Sequence, residues 1–277
     1  MHSAAQQQIA AAELVVTDAA TVASVGVTVF VLGNLIHEAL GHGGACLVVG
    51  ARPISVNAVS MDCSVDNRLV LAGGTLMNLI AGFVFWALGR AAGMRYAYLR
   101  YFLWLAMTVN LYAAAGYFLF SGIGGFGDWA EFIKGLEPQW AWRAAMAVFG
   151  AAAYMGVAYL SIWELRSLIG SDRRRRYAHA VRLSRIPYFA GGIVECLAGL
   201  LNPVGLSLVL LSAAASTFGG SSGLLWAPQW LHSERFSAAG DALEPVSIRR
   251  SWAWIAAAVI VAVAFIVFVG PGVHFNN

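Results

Sequence analysis

The chain has 277 residues, of which 60% are hydrophobic and 11% charged, and its mean hydropathy is +0.70. Soluble domains typically carry about 25% charged residues, so this composition excludes an ordinary soluble protein and indicates an integral membrane protein. The formal net charge of +3 gives no indication of a nucleic-acid partner, and the basic residues are better explained by membrane topology.

The first twenty residues contain Glu13 and Asp18 but no Lys or Arg, unlike a cleavable signal peptide. A spanning helix needs about 20 mostly apolar residues. Six segments qualify, at about 21–49, 69–92, 96–120, 142–163, 187–215 and 252–269. Asn202-Pro203 falls inside the fifth and should kink or break it, even into two shorter pieces. The expected fold is all-α, a polytopic membrane helix bundle of about six transmembrane helices forming one transmembrane domain over 1–277. Between the first two spans, residues 54–60 alternate apolar and polar, which predicts a short hairpin-like segment at the membrane surface.

Arginine sets the expected orientation. The link between the fourth and fifth spans holds Arg166, Arg173, Arg174, Arg175, Arg176, Arg182 and Arg185, and the positive-inside rule makes that link cytoplasmic. With six spans, both chain ends are then cytoplasmic as well. The expected location is a bacterial-type inner membrane. A second reading of the run is contact with anionic membrane lipids or an acidic partner.

The chemistry concentrates in His37-Glu38-Ala39-Leu40-Gly41-His42, in the second half of the first span. Ionisable residues at membrane depth are costly and read as functional by default. Zinc catalysis commonly uses three protein ligands and an open position for water, with a nearby glutamate moving protons. The usual motif spaces its histidines four apart on one helix face. Here they are five apart, roughly 140° of rotation on a regular helix. A local π-turn would bring them back into line, and Gly41, Gly43 and Gly44 make the backbone deformable. A regular helix would instead align Glu38 with His42, or His42 with Cys46.

The hexapeptide resembles the His-Glu-x-x-Gly-His motif of the dipeptidyl peptidase III family. Over residues 25 to 135 the chain is more similar to the site-2 protease family of intramembrane zinc metalloproteases. The His-Glu motif lies in a membrane helix and is followed by a hairpin-like segment. Ala72-Gly73-Gly74-Thr75-Leu76-Met77-Asn78 resembles the family's Gly-Pro-x-x-Asn helix, and Gly125-Phe126-Gly127-Asp128-Trp129 follows a later span, where the family supplies an aspartate ligand. That resemblance implies a metalloprotease-like core over 20–135 and additional helices over 136–277. It implies one Zn2+ per chain bound by His37, His42 and Asp128. Glu38 would be the general base, and Asn78 would place substrate backbone or stabilise the oxyanion. The implied substrate is a partly unwound transmembrane segment of another protein.

Other readings of the same residues stay open. The histidines could be structural, bind haem or line a proton path. Asp128-Trp129-Ala130-Glu131 has capping-box spacing. Cys46, Cys63 and Cys196 form no repeated pair, so no disulfide is expected. Glu195, inside the fifth span, could pair with an arginine, carry protons or reach the metal site. Two other functions compete with the protease: a non-catalytic subunit docking on a larger membrane complex, with a retained or degenerate metal site, and a proton-conducting or transport protein.

Overall fold

The structure, a computed structural model, describes residues 16–91, 96–170, 172–202, 209–237 and 245–275; most of the segment weighed as a signal peptide lies outside them. The protein is an all-helical bundle with one small sheet. Five helices are long and apolar enough to cross a membrane: α1 (Ala19–Val48), α2 (Arg68–Ala91), α3 (Ala97–Gly124), α5 (Gln139–Ile169) and α7 (Trp252–Val269). The remaining long helix is α6 (Arg173–Leu200), and a short α4 (Asp128–Phe132) follows α3.

Local chemistry fixes the ends. Asp18 caps α1 by accepting from the Thr21 N–H at 2.9 Å, which satisfies an orphan donor of the first turn. α3 stops at Gly125, whose φ of 71° is left-handed, the ordinary way to end a helix. The core centres on α3, where Tyr101, Leu105 and Tyr112 are completely buried. α3 packs against α1, α2 and α5, while α1 also contacts α6 and α7. α7 lies at the margin and exposes Val259, Ile260, Val263 and Phe268, as a lipid-facing helix should.

The expected fifth span is resolved differently. Its helix, α6, begins ahead of Pro187 at Arg173 and stops at Leu200; a π-helix covers Val209–Gly219. The break falls beside Asn202, where the sequence anticipates it; Pro203 itself lies outside the described residues. After the π-helix the chain returns toward the arginine end. Gly223 donates its N–H to Tyr154 at 2.8 Å, Arg185 donates to Leu225 O at 3.2 Å, and Arg176 donates to Leu231 O and Phe236 O. Arg176 is therefore buried and structural, not merely a topology signal.

That return corrects the expected placement of both chain ends on one side. The start of α7 sits beside the start of α1, where Arg250 pairs with Asp18 at 3.0 Å. The far end of α7 delivers β3 (Val273–His274) to the opposite end of the bundle. There β1 (Pro53–Val56) and β2 (Met61–Cys63) form the expected hairpin, and the antiparallel sheet has the order β2-β1-β3. Cys46 and Cys63 are joined in a disulfide, contrary to the expectation of unpaired cysteines. The pairing is set by the hairpin, which folds back over the end of α1, and sequence spacing alone does not reveal it.

Candidate metal centre

The widened spacing in the His-Glu motif is accommodated by a π-helix over Ile36–Gly43. The extra residue per turn puts His37 and His42 on the same side, and both are buried. Asp128 comes from the other side. Gly125 and Gly127, both at positive φ, turn the chain out of α3, and α4 then starts at Asp128 with Gly127 as N-cap. Trp129 holds that turn in place: its indole N–H donates to Thr75 Oγ1 at 2.9 Å, and its ring stacks on Phe118 at 4.2 Å. The Asp128 side chain thus faces the histidines and does not cap the helix.

Three atoms converge. His37 Nε2 and His42 Nε2 are 3.2 Å apart, and Asp128 Oδ2 lies 3.2 Å from the first and 3.3 Å from the second. Their chemistry follows from what the other ring nitrogens touch. His42 Nδ1 is 2.7 Å from Val70 O. A carbonyl only accepts, so Nδ1 carries the proton. For His37 the chain of inference is longer. Asn110 Nδ2 donates to Ala106 O at 2.8 Å, which leaves Asn110 Oδ1 to accept from Asn78 Nδ2 at 2.8 Å. Asn78 Nδ2 also donates to Gly33 O. Asn78 Oδ1 must then accept from His37 Nδ1, 2.6 Å away.

Both Nε2 atoms of the neutral rings therefore present lone pairs to each other and to a carboxylate. Such a convergence is repulsive unless a cation, either a proton or a metal ion, sits among the three. With a proton as that cation, burial raises the Asp128 carboxyl, but hydrogen bonds from His37 and His42 and their positive charge prevail and hold it well below the usual carboxylate range. His37, His42 and Asp128 form a group that could hold a metal ion.

The backbone of α2 closes the site from behind. A Cβ on Gly74 would lie 2.5 Å from the Nε2 atoms of both histidines. Tyr117 stacks on the His37 ring at 4.4 Å between centroids. Glu38 is buried, and its Oε2 has no hydrogen-bond partner among the described residues.

The structure brings together His37, His42 and Asp128 and sets Asn78 directly behind His37. Both N–H donors of Asn78 are committed, so none is left for an oxyanion. Cys46, four residues past His42, is used in the disulfide and is not a ligand. Sequence reasoning missed Asn110, Tyr117 and the Val70 carbonyl, and took Gly74 only as part of the Ala72–Asn78 motif. Only Asn110 carried a signal, as a carboxamide in the middle of an apolar span.

No protein-family model matches the chain, and no curated protein or solved structure is significantly similar to it.

Proposed function

We propose that the protein is an intramembrane zinc metalloprotease of the site-2 protease type, hydrolysing peptide bonds of membrane-embedded protein segments. The observation that carries the reading is the convergence of two imidazole lone pairs and a carboxylate beside a buried glutamate. Ligands at about 2.0–2.1 Å around a tetrahedral zinc lie roughly 3.3 Å apart, and the three separations of 3.2, 3.2 and 3.3 Å suit that ion. The residues that carry the family resemblance are far apart in sequence and meet in space, which supports it further.

Zinc bound there supplies Lewis acidity and a water acidic enough to yield hydroxide near neutral pH. The chain's residues do the rest. Glu38, beside the ligands and with Oε2 unpartnered among the described residues, takes a proton from water and returns it to the leaving amine. Asn78 and Asn110 orient His37, and the Val70 carbonyl orients His42; they are positioning groups.

Two independent features support one orientation. The arginine-rich start of α6 marks the cytoplasmic end. The disulfide between Cys46 and Cys63 sits at the other end, as expected for an oxidising compartment. The metal centre, next to that disulfide, lies toward the extracytoplasmic face.

The test is metal content of detergent-purified protein, followed by cleavage of membrane-embedded peptides. The expected result is about one zinc per chain, lost in His37→Ala and His42→Ala, with cleavage abolished in Glu38→Gln. Zinc without cleavage supports the alternative, a non-catalytic membrane subunit with a retained metal site. Absence of metal from carefully prepared protein overturns the protease and leaves the non-catalytic subunit with a degenerate site.

A further inference from the structure

A cavity of about 50 Å³ extends from His37 toward the middle of the bundle, between α1, α3, α6 and the π-helix 209–219. Its walls include Asn34, His37, Asn78, Tyr117, Glu195, Thr217 and Ser221, and no Lys or Arg lines it. The cavity lies beside the metal centre and shares His37 with it, but its other polar groups have no role in holding the metal.

The polar atoms facing the cavity are biased in one direction. Glu195 is buried, and its hydrogen-bond partner among the described residues is Thr217, whose hydroxyl donates to Oε2. Ser221 donates its hydroxyl to Thr217 O at 2.5 Å. Asn34 donates Nδ2 to Ala58 O at 2.9 Å, and its buried Oδ1 has no partner among the described residues. The donors of His37 and Asn78 are committed as described. Thr217 and Ser221 thus spend their hydroxyl protons inside the protein, and the Glu195 carboxyl and Asn34 Oδ1 stand on the cavity wall as acceptors.

A wall of that kind complements a group that only donates. The lysine ammonium has three donors, no acceptor and a positive charge. A carboxylate at membrane depth should be paired or wet, and no described cation occupies this cavity.

We infer that the cavity is a specificity pocket for a lysine-type ammonium group on the membrane-embedded substrate, with Glu195 as its selecting residue. The inference rests on the protease reading and gives its substrate class: a segment with a basic residue close to the scissile bond, seated in the pocket while the peptide bond lies at the metal centre. A site built to hydrogen-bond a group discriminates strongly against an analogue that lacks it, because its polar atoms are then left unpaired.

The test is binding, read separately from cleavage. A leucine-alanine transmembrane peptide carries one guest residue about a turn from its outer end, with lysine, 6-hydroxynorleucine, norleucine or glutamate as the guest. Affinity is measured in nanodiscs for the zinc-loaded Glu38→Gln protein and for the same protein with Glu195→Gln added. The expected result is at least about tenfold tighter binding of the lysine peptide than of norleucine, with glutamate weakest, and a gap below about twofold once Glu195 is neutralised. Equal binding of lysine and norleucine peptides, or binding of neither, overturns the inference and leaves Glu195 a contact of Thr217. If Glu195→Gln fails to fold, the comparison of lysine with its neutral isostere 6-hydroxynorleucine on the Glu195 protein decides. A lysine preference without cleavage by the wild-type chain upholds the pocket and removes the protease; cleavage of every peptide with one KM does the reverse.

Discussion

Gly41 and Gly74 meet backbone to backbone: a Cβ on Gly41 would lie 2.5 Å from the Gly74 Cα. This contact seats the π-helical segment of α1 on α2 and puts the α2 backbone directly behind both Nε2 atoms. Gly74→Ala would place a methyl group among the metal ligands. The expected outcome is loss of bound zinc from a protein that still assembles its bundle, checked by metal analysis alongside gel filtration in detergent.

The carboxamide pair makes a graded prediction. Asn110→Leu removes the acceptor that holds Asn78, and Asn78→Leu removes the acceptor that fixes the His37 tautomer. Partners of ligand histidines typically contribute 10–100-fold in metal affinity. Asn78→Leu should weaken zinc binding by about that factor, and Asn110→Leu by less, as measured by competition with a chromophoric chelator.

The Cys46–Cys63 link closes a stretch with a sequence separation of 17. Chain-entropy considerations put such a link at roughly 3 kcal/mol. Replacing both cysteines with serine should lower stability toward denaturant by about that amount. After reduction, a membrane-impermeant maleimide should label wild-type protein in intact cells from outside. Labelling only in inverted vesicles would reverse the orientation proposed above.

Stability should fall in mild acid because of His179, on the basic stretch of α6 ahead of its apolar part. It is buried, with both ring nitrogens unpartnered among the described residues, and burial, with a smaller push from Arg182, lowers its pKa from 6.5 to about 4. Above pH 6.5 the ring is neutral in both the folded and the unfolded chain, so it contributes no pH dependence. As pH falls from 6.5 to 4 the unfolded chain takes up a proton that the folded one refuses, and the folded state loses up to about 3 kcal/mol. His179→Leu should flatten that part of the profile of denaturation midpoint against pH.

The helices were readable because apolar length is a strong signal: α7 begins at Trp252 and ends at Val269, where the sequence sets it. The π-helix was readable too, since two histidines five apart beside three glycines conflict with regular helix geometry and chemistry needs them together. Asp128 could be proposed as a ligand but not distinguished from a capping residue. That depends on Gly127 taking the cap position, a matter of backbone direction. The disulfide and the return of the chain after α6 were not legible, because each arises from tertiary placement: the hairpin brings Cys63 over Cys46, and packing against Tyr154 and α6 turns the π-helix back. The acceptors on the wall of the Glu195 cavity were equally hidden, since they depend on where the neighbouring hydroxyls donate.

β3 pairs with β1 although the two are separated by most of the chain. Contacts this distant in sequence form late, since they must wait for everything between them. The strand arrives only after α7 has crossed the membrane, so the sheet beside the candidate metal site stays incomplete until α7 has been inserted. A chain stalled before that point would hold His37, His42 and Asp128 without a finished sheet over them. The order of insertion thereby withholds the completed face of the site until the bundle around it is in place.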